Sequence, residues 1–122
     1  GVGNPSNLIT SNVDIFYNTD DVITCIADTA IAKGTPVKMT GLINVSPITS
    51  DSDNSSFAGI SLTDAEANGF VKIQNRGFVK ADISTNVGDK IGISNGSLSV
   101  VTANEIGVVK SVIGGNAYVK LI

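Results

Sequence analysis

Pairs of carboxylates are the side chains of this sequence best suited to acid–base chemistry, because its 122 residues include no histidine and a single cysteine. A Ser-His-Asp triad and a Cys/His metal cluster are therefore excluded. Three carboxylate pairs are close in sequence: Asp20-Asp21, Asp51/Asp53 and Asp64/Glu66. A glycosidase needs two carboxylates that face each other across a cleft, one with its pKa raised by an apolar wall. Since all three pairs lie in polar, turn-like segments, we expect no enzymatic activity, no catalytic residues and no cofactor.

The stretch from Asp51 to Leu62 partly matches a calcium-binding loop. Asp51, Asp53 and Ser55 have the spacing of the first three oxygen ligands of an EF-hand. Ser56 stands where that loop needs glycine, and Leu62 stands where it needs a bidentate glutamate. The pattern favours a solvated loop between strands, with a cation at Asp51 and Asp53 as the alternative, so no metal site is predicted.

Two further segments carry reactive or charged side chains. Cys25 lies among Ile23 and Ile26, which favours a buried thiol over a reactive one. Lys72, Gln74 and Arg76 alternate with apolar or uncharged residues, which is typical of a strand with one solvated face. Lys80 and Lys120 continue this pattern on neighbouring strands, and a weak basic stripe that contacts an acidic protein is the alternative.

The overall charge restricts the class of partner. Eight basic and eleven acidic residues give 8 − 11 = −3 at neutral pH. Without a run of Lys or Arg, this balance argues against nucleic acid and against an anionic membrane as the main partner. The longest apolar runs are a few residues, too short for a transmembrane helix.

The elements that position these side chains are predicted to be short β-strands. Val and Ile dominate the apolar residues, and Gly or Asn stands at nearly every break between apolar runs. Asn95-Gly96 is a strong hairpin signal, and Thr63–Gly69 begins with a capping box that predicts one helical turn. Many short strands predict an all-β fold, specifically a small β-barrel. The ten predicted strands are Val22–Ala27, Pro36–Thr40, Leu42–Ile48, Phe57–Leu62, Phe70–Arg76, Phe78–Ile83, Lys90–Ile93, Ser97–Thr102, Ile106–Val112 and Ala117–Ile122.

The first 21 residues differ in composition from the rest. Gly1–Asn7 is turn-prone, and Val13, Ile15 and Tyr17 then alternate with Asp14 and Phe16 as in a short strand. We interpret residues 1–21 as an extended N-terminal arm and residues 22–122 as a single β-barrel domain. The alternative is that the arm contains the first strand of the barrel.

The barrel domain contains an internal duplication. The matching segments occur in the same order in residues 22–76 and 77–122, so chance similarity between strands is the weaker explanation. A repeat this short cannot bury its apolar face alone, and we expect the halves to pack into one pseudo-symmetric barrel. The clearest matches are Ala27-Asp28 with Ala81-Asp82, Gly34–Val37 with Gly88–Ile91, Gly59-Ile60 with Gly107-Val108, and Phe70–Ile73 with Tyr118–Leu121.

An ordered set of five motifs resembles a known family. The motifs are Ala30–Val37 (AIAKGTPV), Phe57–Ala65 (FAGISLTDA), Val71–Val79 (VKIQNRGFV), Val87–Ile91 (VGDKI) and Ile106–Val108 (IGV). Together they resemble the capsid decoration, or cement, proteins of tailed bacteriophages, with a resemblance that covers about residues 22–122.

The resemblance implies a small β-barrel on the outer surface of the mature phage head, which it reinforces. It implies the major capsid protein as the partner and a homotrimer on the capsid. The N-terminal arm would run across the capsid or a neighbouring copy, with contacts from Leu8, Ile9, Val13, Ile15 and Phe16.

Two other functions stay open. The chain could be the base of a longer head fibre. It could instead be a receptor- or carbohydrate-binding β-domain of a phage fibre or bacterial surface protein, with an aromatic site formed by residues such as Tyr17, Phe70 or Tyr118.

Overall fold

Ten β-strands make up the regular structure of the protein. The computed structural model describes residues 21–49 and 56–122, and these residues contain no α-helix. None of their segments is a helix long and apolar enough to cross a membrane. The strands are β1 (Val22–Ala27), β2 (Pro36–Met39), β3 (Asn44–Pro47), β4 (Phe57–Ser61), β5 (Phe70–Gln74), β6 (Gly77–Ala81), β7 (Lys90–Ser94), β8 (Ser97–Val100), β9 (Gly107–Ile113) and β10 (Asn116–Leu121).

The first repeat forms a closed five-stranded barrel with the strand order β1-β3-β2-β4-β5. Strand β1 closes it by pairing on both edges, antiparallel with β5 and parallel with β3. Ile26 lies opposite Phe70 on one side and Asn44 on the other. Closure leaves no strand of this barrel with an unpaired edge.

The second repeat forms an open five-stranded sheet with the order β6-β10-β9-β7-β8. Strands β6, β7, β8, β9 and β10 correspond in chain order to β1, β2, β3, β4 and β5. With this correspondence, the second sheet has the strand order of the first barrel with one pairing missing. That pairing would join β6 to β8, the counterparts of β1 and β3. The all-β fold class and the small β-barrel are therefore confirmed. The two halves do not pack into one barrel as expected, because the first repeat closes alone and the second forms a separate open sheet.

Two apolar clusters form the core. One fills the closed barrel and contains only residues of the first repeat: Cys25, Ala27, Ile31, Val37, Val45, Val71 and Ile73. The other lies against the second sheet, and it includes Ile48 and Ile60 from the first repeat. These two side chains pack outside the barrel that carries them. The second sheet therefore buries its apolar face with help from the first repeat.

Glycines at equivalent positions allow close strand packing in both repeats. A Cβ at Gly59 would lie 2.4 Å from the carbonyl oxygen of Gln74, and one at Gly107 would lie 2.7 Å from the carbonyl oxygen of Lys120. Both distances are far below van der Waals contact. Gly59 and Gly107 are therefore required for the same reason in the two halves: each leaves room for the backbone of the neighbouring strand.

The predicted helical turn at Thr63–Gly69 is wrong. Ala65 instead forms a bridge to Ile31, with N–H···O distances of 2.8 and 2.9 Å in the two directions. The Thr63 hydroxyl accepts a hydrogen bond from the backbone N–H of Lys72 rather than capping a helix. Backbone pairing with a distant segment thus outweighs a local capping preference worth about 1 kcal/mol.

The predicted strands agree with the observed ones to within two residues at each end. The Asn95-Gly96 hairpin is confirmed: both residues have positive φ, 50° and 79°, and they join Ser94 to its partner Ser97. Gly114-Gly115 forms the equivalent two-residue turn between β9 and β10.

Candidate functional site

The carboxylates singled out in the sequence serve structural roles where they are described. Asp21 is 7% exposed, and its Oδ1 lies 2.8 Å from Nε of Arg76. Asp64 accepts a hydrogen bond of 2.8 Å from the backbone N–H of Lys33. Asp20, Asp51 and Asp53 lie outside the described residues, as does Ser55 of the proposed cation loop. In residues 21–49 and 56–122, no group of three or more acidic or thiol side chains is placed to hold a metal ion.

Cys25 lies inside the closed barrel and is buried, as predicted. Burial raises the pKa of its thiol, because the thiolate would lose its hydration. The neutral thiol is a small apolar core group here.

The alternating polar face predicted for Lys72, Gln74 and Arg76 is interrupted. Lys72 is exposed, but the Gln74 side chain is completely buried. Gln74 is paired with Val22 on one side and with Ile60 on the other, and its amide donates to the carbonyl oxygen of Arg76. The predicted solvated face therefore does not extend through Gln74, while Lys72 and Arg76 are exposed.

A groove of about 660 Å³ lies where the second sheet remains open. One wall is formed by the end of β6 and the residues after it, Lys80–Ile83, and another by Ser97 and Leu98 of β8. Lys33 and Ile60 of the first repeat complete it. Its size falls within the range of ligand-binding pockets, about 300–1,000 Å³.

Asp28 holds the corresponding strands together in the first repeat. Its carboxylate accepts hydrogen bonds from the hydroxyl of Thr40, from Ser46 Oγ at 2.9 Å and from Asn44 Nδ2 at 3.1 Å. The backbone N–H of Asp28 also donates to the carbonyl oxygen of Val45 at 2.9 Å. These contacts connect the end of β1 to β3 and to the residue after β2. We call this set the Asp28 clasp.

The clasp lowers the pKa of Asp28. The largest cause is the hydrogen bond from Thr40, followed by that from Ser46, and both stabilise the ionised carboxylate. The bonds outweigh a small opposing effect of desolvation. The carboxylate is exposed to solvent and is held by donors from two other elements.

Asp82, the counterpart of Asp28, forms no such clasp. In the first repeat Val45 pairs with Met39, and in the second repeat Leu98 pairs with Ile93. Leu98 is therefore the counterpart of Val45. Ser97 and Ser99 then take the places of Asn44 and Ser46. In the described parts of the chain, the carboxylate of Asp82 accepts no hydrogen bond and forms no ion pair. It lies free at the wall of the groove.

The groove combines charged and apolar groups with the edges of two strands. Two ammonium groups, those of Lys33 and Lys80, stand at its walls, and within the described residues neither forms an ion pair. Ile60, Ile83 and Leu98 supply apolar surface. Among the described strands, β6 pairs only with β10 and β8 only with β7. This combination suits an extended peptide with alternating side chains.

An apolar patch lies on the outside of the closed barrel. Phe70 is 76% exposed and lies directly opposite Ile26, whose backbone N–H donates to the carbonyl oxygen of Ile43 at 2.8 Å. Leu42 precedes Ile43 and is 95% exposed. We call Leu42, Ile43 and Phe70, which lie at the end of the barrel where β1 ends, the Phe70 patch. Large apolar side chains grouped in this way are typical of a surface that contacts another protein.

Of the aromatic residues considered for a glycan site, Phe70 is exposed and Tyr118 is 4% exposed. Tyr17 lies outside the described residues, as do the predicted capsid contacts Leu8, Ile9, Val13, Ile15 and Phe16. The groove and the Phe70 patch were not predicted from the sequence. A signal for the patch exists, because Phe70 begins a predicted strand, whereas the groove depends on a pairing that β6 and β8 do not make.

No protein-family model matches the sequence, and no curated protein is significantly similar to it.

Proposed function

We propose that the protein is a structural component of a tailed-bacteriophage virion. It binds the outer surface of the mature capsid and stabilises it, as a decoration protein or as the base of a head fibre. The proposal rests on the ordered set of five motifs described above. Two of them lead into equivalent strands, Ala30–Val37 into β2 and Val87–Ile91 into β7.

The Phe70 patch is the observation of the structure that supports this function most. Phe70 belongs to a strand that is paired on both sides, so its ring is held on a rigid scaffold. Burying a side chain of this size stabilises a complex by about 1.5–3 kcal/mol. A modest contact of this kind becomes strong when many copies bind neighbouring sites of a lattice.

Stabilisation of the shell follows from selective binding. A protein that binds the expanded lattice, and not its precursor, shifts the assembly toward the expanded state by mass action. We infer a homotrimer whose partner is the major capsid protein. The N-terminal arm supplies additional contacts.

Co-sedimentation with phage heads stripped of accessory proteins tests this function. We expect saturable binding to expanded heads, at a stoichiometry tied to the lattice, and no binding to unexpanded heads. The variant Phe70→Ser should weaken binding at least about tenfold, which corresponds to about 1.4 kcal/mol per site. Val87→Ser is the matched control, because Val87 is also exposed but lies in the segment before β7.

Failure to bind either form of the head would reject the proposal. Binding that is unchanged by Phe70→Ser would reject the role of the Phe70 patch alone. An exposed aromatic side chain is also what a carbohydrate-binding domain needs. The residue opposite Phe70 is Ile26, however, and the exposed Leu42 and Ile43 lie at the same end of the barrel, which favours a protein surface over a sugar.

A further inference from the structure

The first repeat shows how the edge of a strand equivalent to β8 is covered. Val45 of β3 directs its carbonyl oxygen away from β2, where it accepts a hydrogen bond of 2.9 Å from the backbone N–H of Asp28. The carbonyl oxygen of Ile43 likewise accepts one of 2.8 Å from Ile26. The outer edge of β3 is therefore covered by an extended, parallel segment, β1, which an aspartate follows.

Among the described strands, the equivalent edge of β8 has no such partner. The backbone N–H of Val101 donates to the carbonyl oxygen of Lys90 at 2.9 Å, and hydrogen bonding alternates along an antiparallel pair. Ser97 and Ser99 therefore bond to β7, and the N–H and C=O of Leu98 point to the other edge. Within the described residues, no backbone group bonds to Leu98 there. An incoming strand can pair with this edge.

The side chains beside the edge favour an aspartate in that incoming strand. In the Asp28 clasp, two side chains of β3 donate hydrogen bonds to the carboxylate. Ser97 and Ser99 stand at the equivalent positions of β8, and each hydroxyl can donate one hydrogen bond. In the described parts of the chain, the Ser99 hydroxyl has one long contact, of 3.5 Å, with the carbonyl oxygen of Val100. The second repeat thus offers donors where the first repeat binds a carboxylate.

The charge of the groove also favours an anionic occupant. The ammonium groups of Lys33 and Lys80 lie at its walls, together with the carboxylate of Asp82. Within the described residues, none of these three groups forms an ion pair. A carboxylate that enters the groove therefore meets walls with a net positive charge.

We propose that β8 binds an extended acidic peptide of a partner protein as an added parallel strand, with an aspartate of the peptide on Ser97 and Ser99. The residue before that aspartate is small and apolar, because its counterpart Ala27 is fully buried. The peptide occupies the groove and supplies the pairing that β1 makes in the first repeat. The site uses none of the residues of the Phe70 patch, so the inference does not rest on binding to a phage head.

The end of β1 supplies the probe, because the first repeat holds that sequence at the equivalent edge. The probe is a blocked hexapeptide with the sequence of residues 23–28, in which serine replaces Cys25. Titration of the ¹⁵N-labelled full chain should shift the amide signals of Leu98 and Val100 saturably, with a Kd of about 1 mM or below. The same peptide with asparagine in place of its aspartate is the control, and it should bind at least about tenfold more weakly. No saturable shift, or equal affinity for the two peptides, would overturn the inference.

A substitution in the protein locates the site. Ser97→Ala removes one donor and should weaken binding of the aspartate peptide about three- to tenfold. Ser94→Ala is the matched control, because Ser94 lies opposite Ser97 on the other strand of the hairpin. Equal affinities of the two variants would contradict the inference. So would nuclear Overhauser contacts between Asp82 and Ser97 in the free protein, or a shift of the Leu98 signal with protein concentration alone, because the chain itself or a second copy would then cover the edge.

Discussion

The two repeats share one strand order but differ in closure. The first repeat pairs β1 with β3 and forms a barrel, whereas β6 and β8 remain apart. Connectivity is the same in both, so connectivity alone does not decide whether a five-stranded unit closes. The difference depends on a few side chains at the seam.

Two features account for the difference. In the first repeat the Asp28 clasp holds β1 to β3, while Asp82 has no such partners within the described residues. In the second repeat Ile48 and Ile60, from outside, pack against the face of the sheet. The β7–β8 turn also lies against the first repeat, since a Cβ at Gly96 would be 3.0 Å from the carbonyl oxygen of Ile48. The second sheet thus folds around the first barrel instead of closing on itself.

The largest effects should come from removing core side chains. Ile73 belongs to the barrel cluster and Ile60 to the shared cluster, and each is almost fully buried. Ile73→Ala and Ile60→Ala should each lower the free energy of unfolding by about 2–5 kcal/mol, from lost burial and the cavity left behind. Leu42→Ala, at an exposed position, should change it by less than about 0.5 kcal/mol.

Because Ile60 joins the repeats, chemical denaturation of either core variant should show one transition shared by fluorescence of the tyrosines and circular dichroism. Two separated transitions, with Ile73→Ala shifting one and Ile60→Ala the other, would show that the repeats unfold independently. That outcome would contradict the shared core.

A somewhat smaller effect is expected at the paired glycines. Gly59→Ala and Gly107→Ala should each destabilise the protein by about 1–3 kcal/mol, because the added methyl group overlaps backbone atoms of the neighbouring strand. Gly59→Ala should cost more, since its overlap is closer and its φ is +159°. Thermal unfolding of the two variants would measure the difference.

Gly114→Ala is the control for backbone strain without overlap. Gly114 has a φ of +59° and nothing within 4 Å of an added Cβ, so we expect a loss of about 1 kcal/mol. If Gly59→Ala and Gly107→Ala cost no more than this control, close strand packing would not explain the repeated glycine.

Much of the fold could be predicted from the sequence because its signals are local. Alternating Val and Ile residues predict the strands, and Asn95-Gly96 predicts its hairpin through the positive φ that both residues tolerate. The matched halves meet between residues 76 and 77, and in the structure β5 ends at Gln74 and β6 begins at Gly77.

The errors arose where distant segments meet. Thr63–Gly69 has a helical capping pattern, but its pairing with Ile31 depends on the closed barrel. Gln74 has the spacing of a solvated residue and is buried where the barrel meets the second sheet. The groove has no sequence signal of its own, because it exists only through a pairing that β6 and β8 do not make. The fold of each repeat is encoded locally, and the surface between them is not.

The smallest effect, and the most direct test of why one repeat closes, concerns Asp28 and Asp82. The folded state lowers the pKa of Asp28, so the unfolded chain binds its proton more tightly. The stabilisation is present above about pH 4, the ordinary pKa of aspartate, and it is lost as the pH falls through the lowered value. Asp28→Asn should therefore reduce stability at neutral pH and flatten its dependence on pH below about 4.

Asp82→Asn is the matched control, since Asp82 stands at the equivalent position without hydrogen-bond partners in the described residues. Thermal unfolding of the wild type and both variants, from neutral pH down to about 2.5, would measure how the stability of each depends on pH. This range includes the ordinary pKa of aspartate. Equal slopes for Asp28→Asn and Asp82→Asn would mean that the Asp28 clasp contributes nothing to closure. The packing of Ile48 and Ile60 against the second sheet would then be the whole reason that one repeat closes and the other does not.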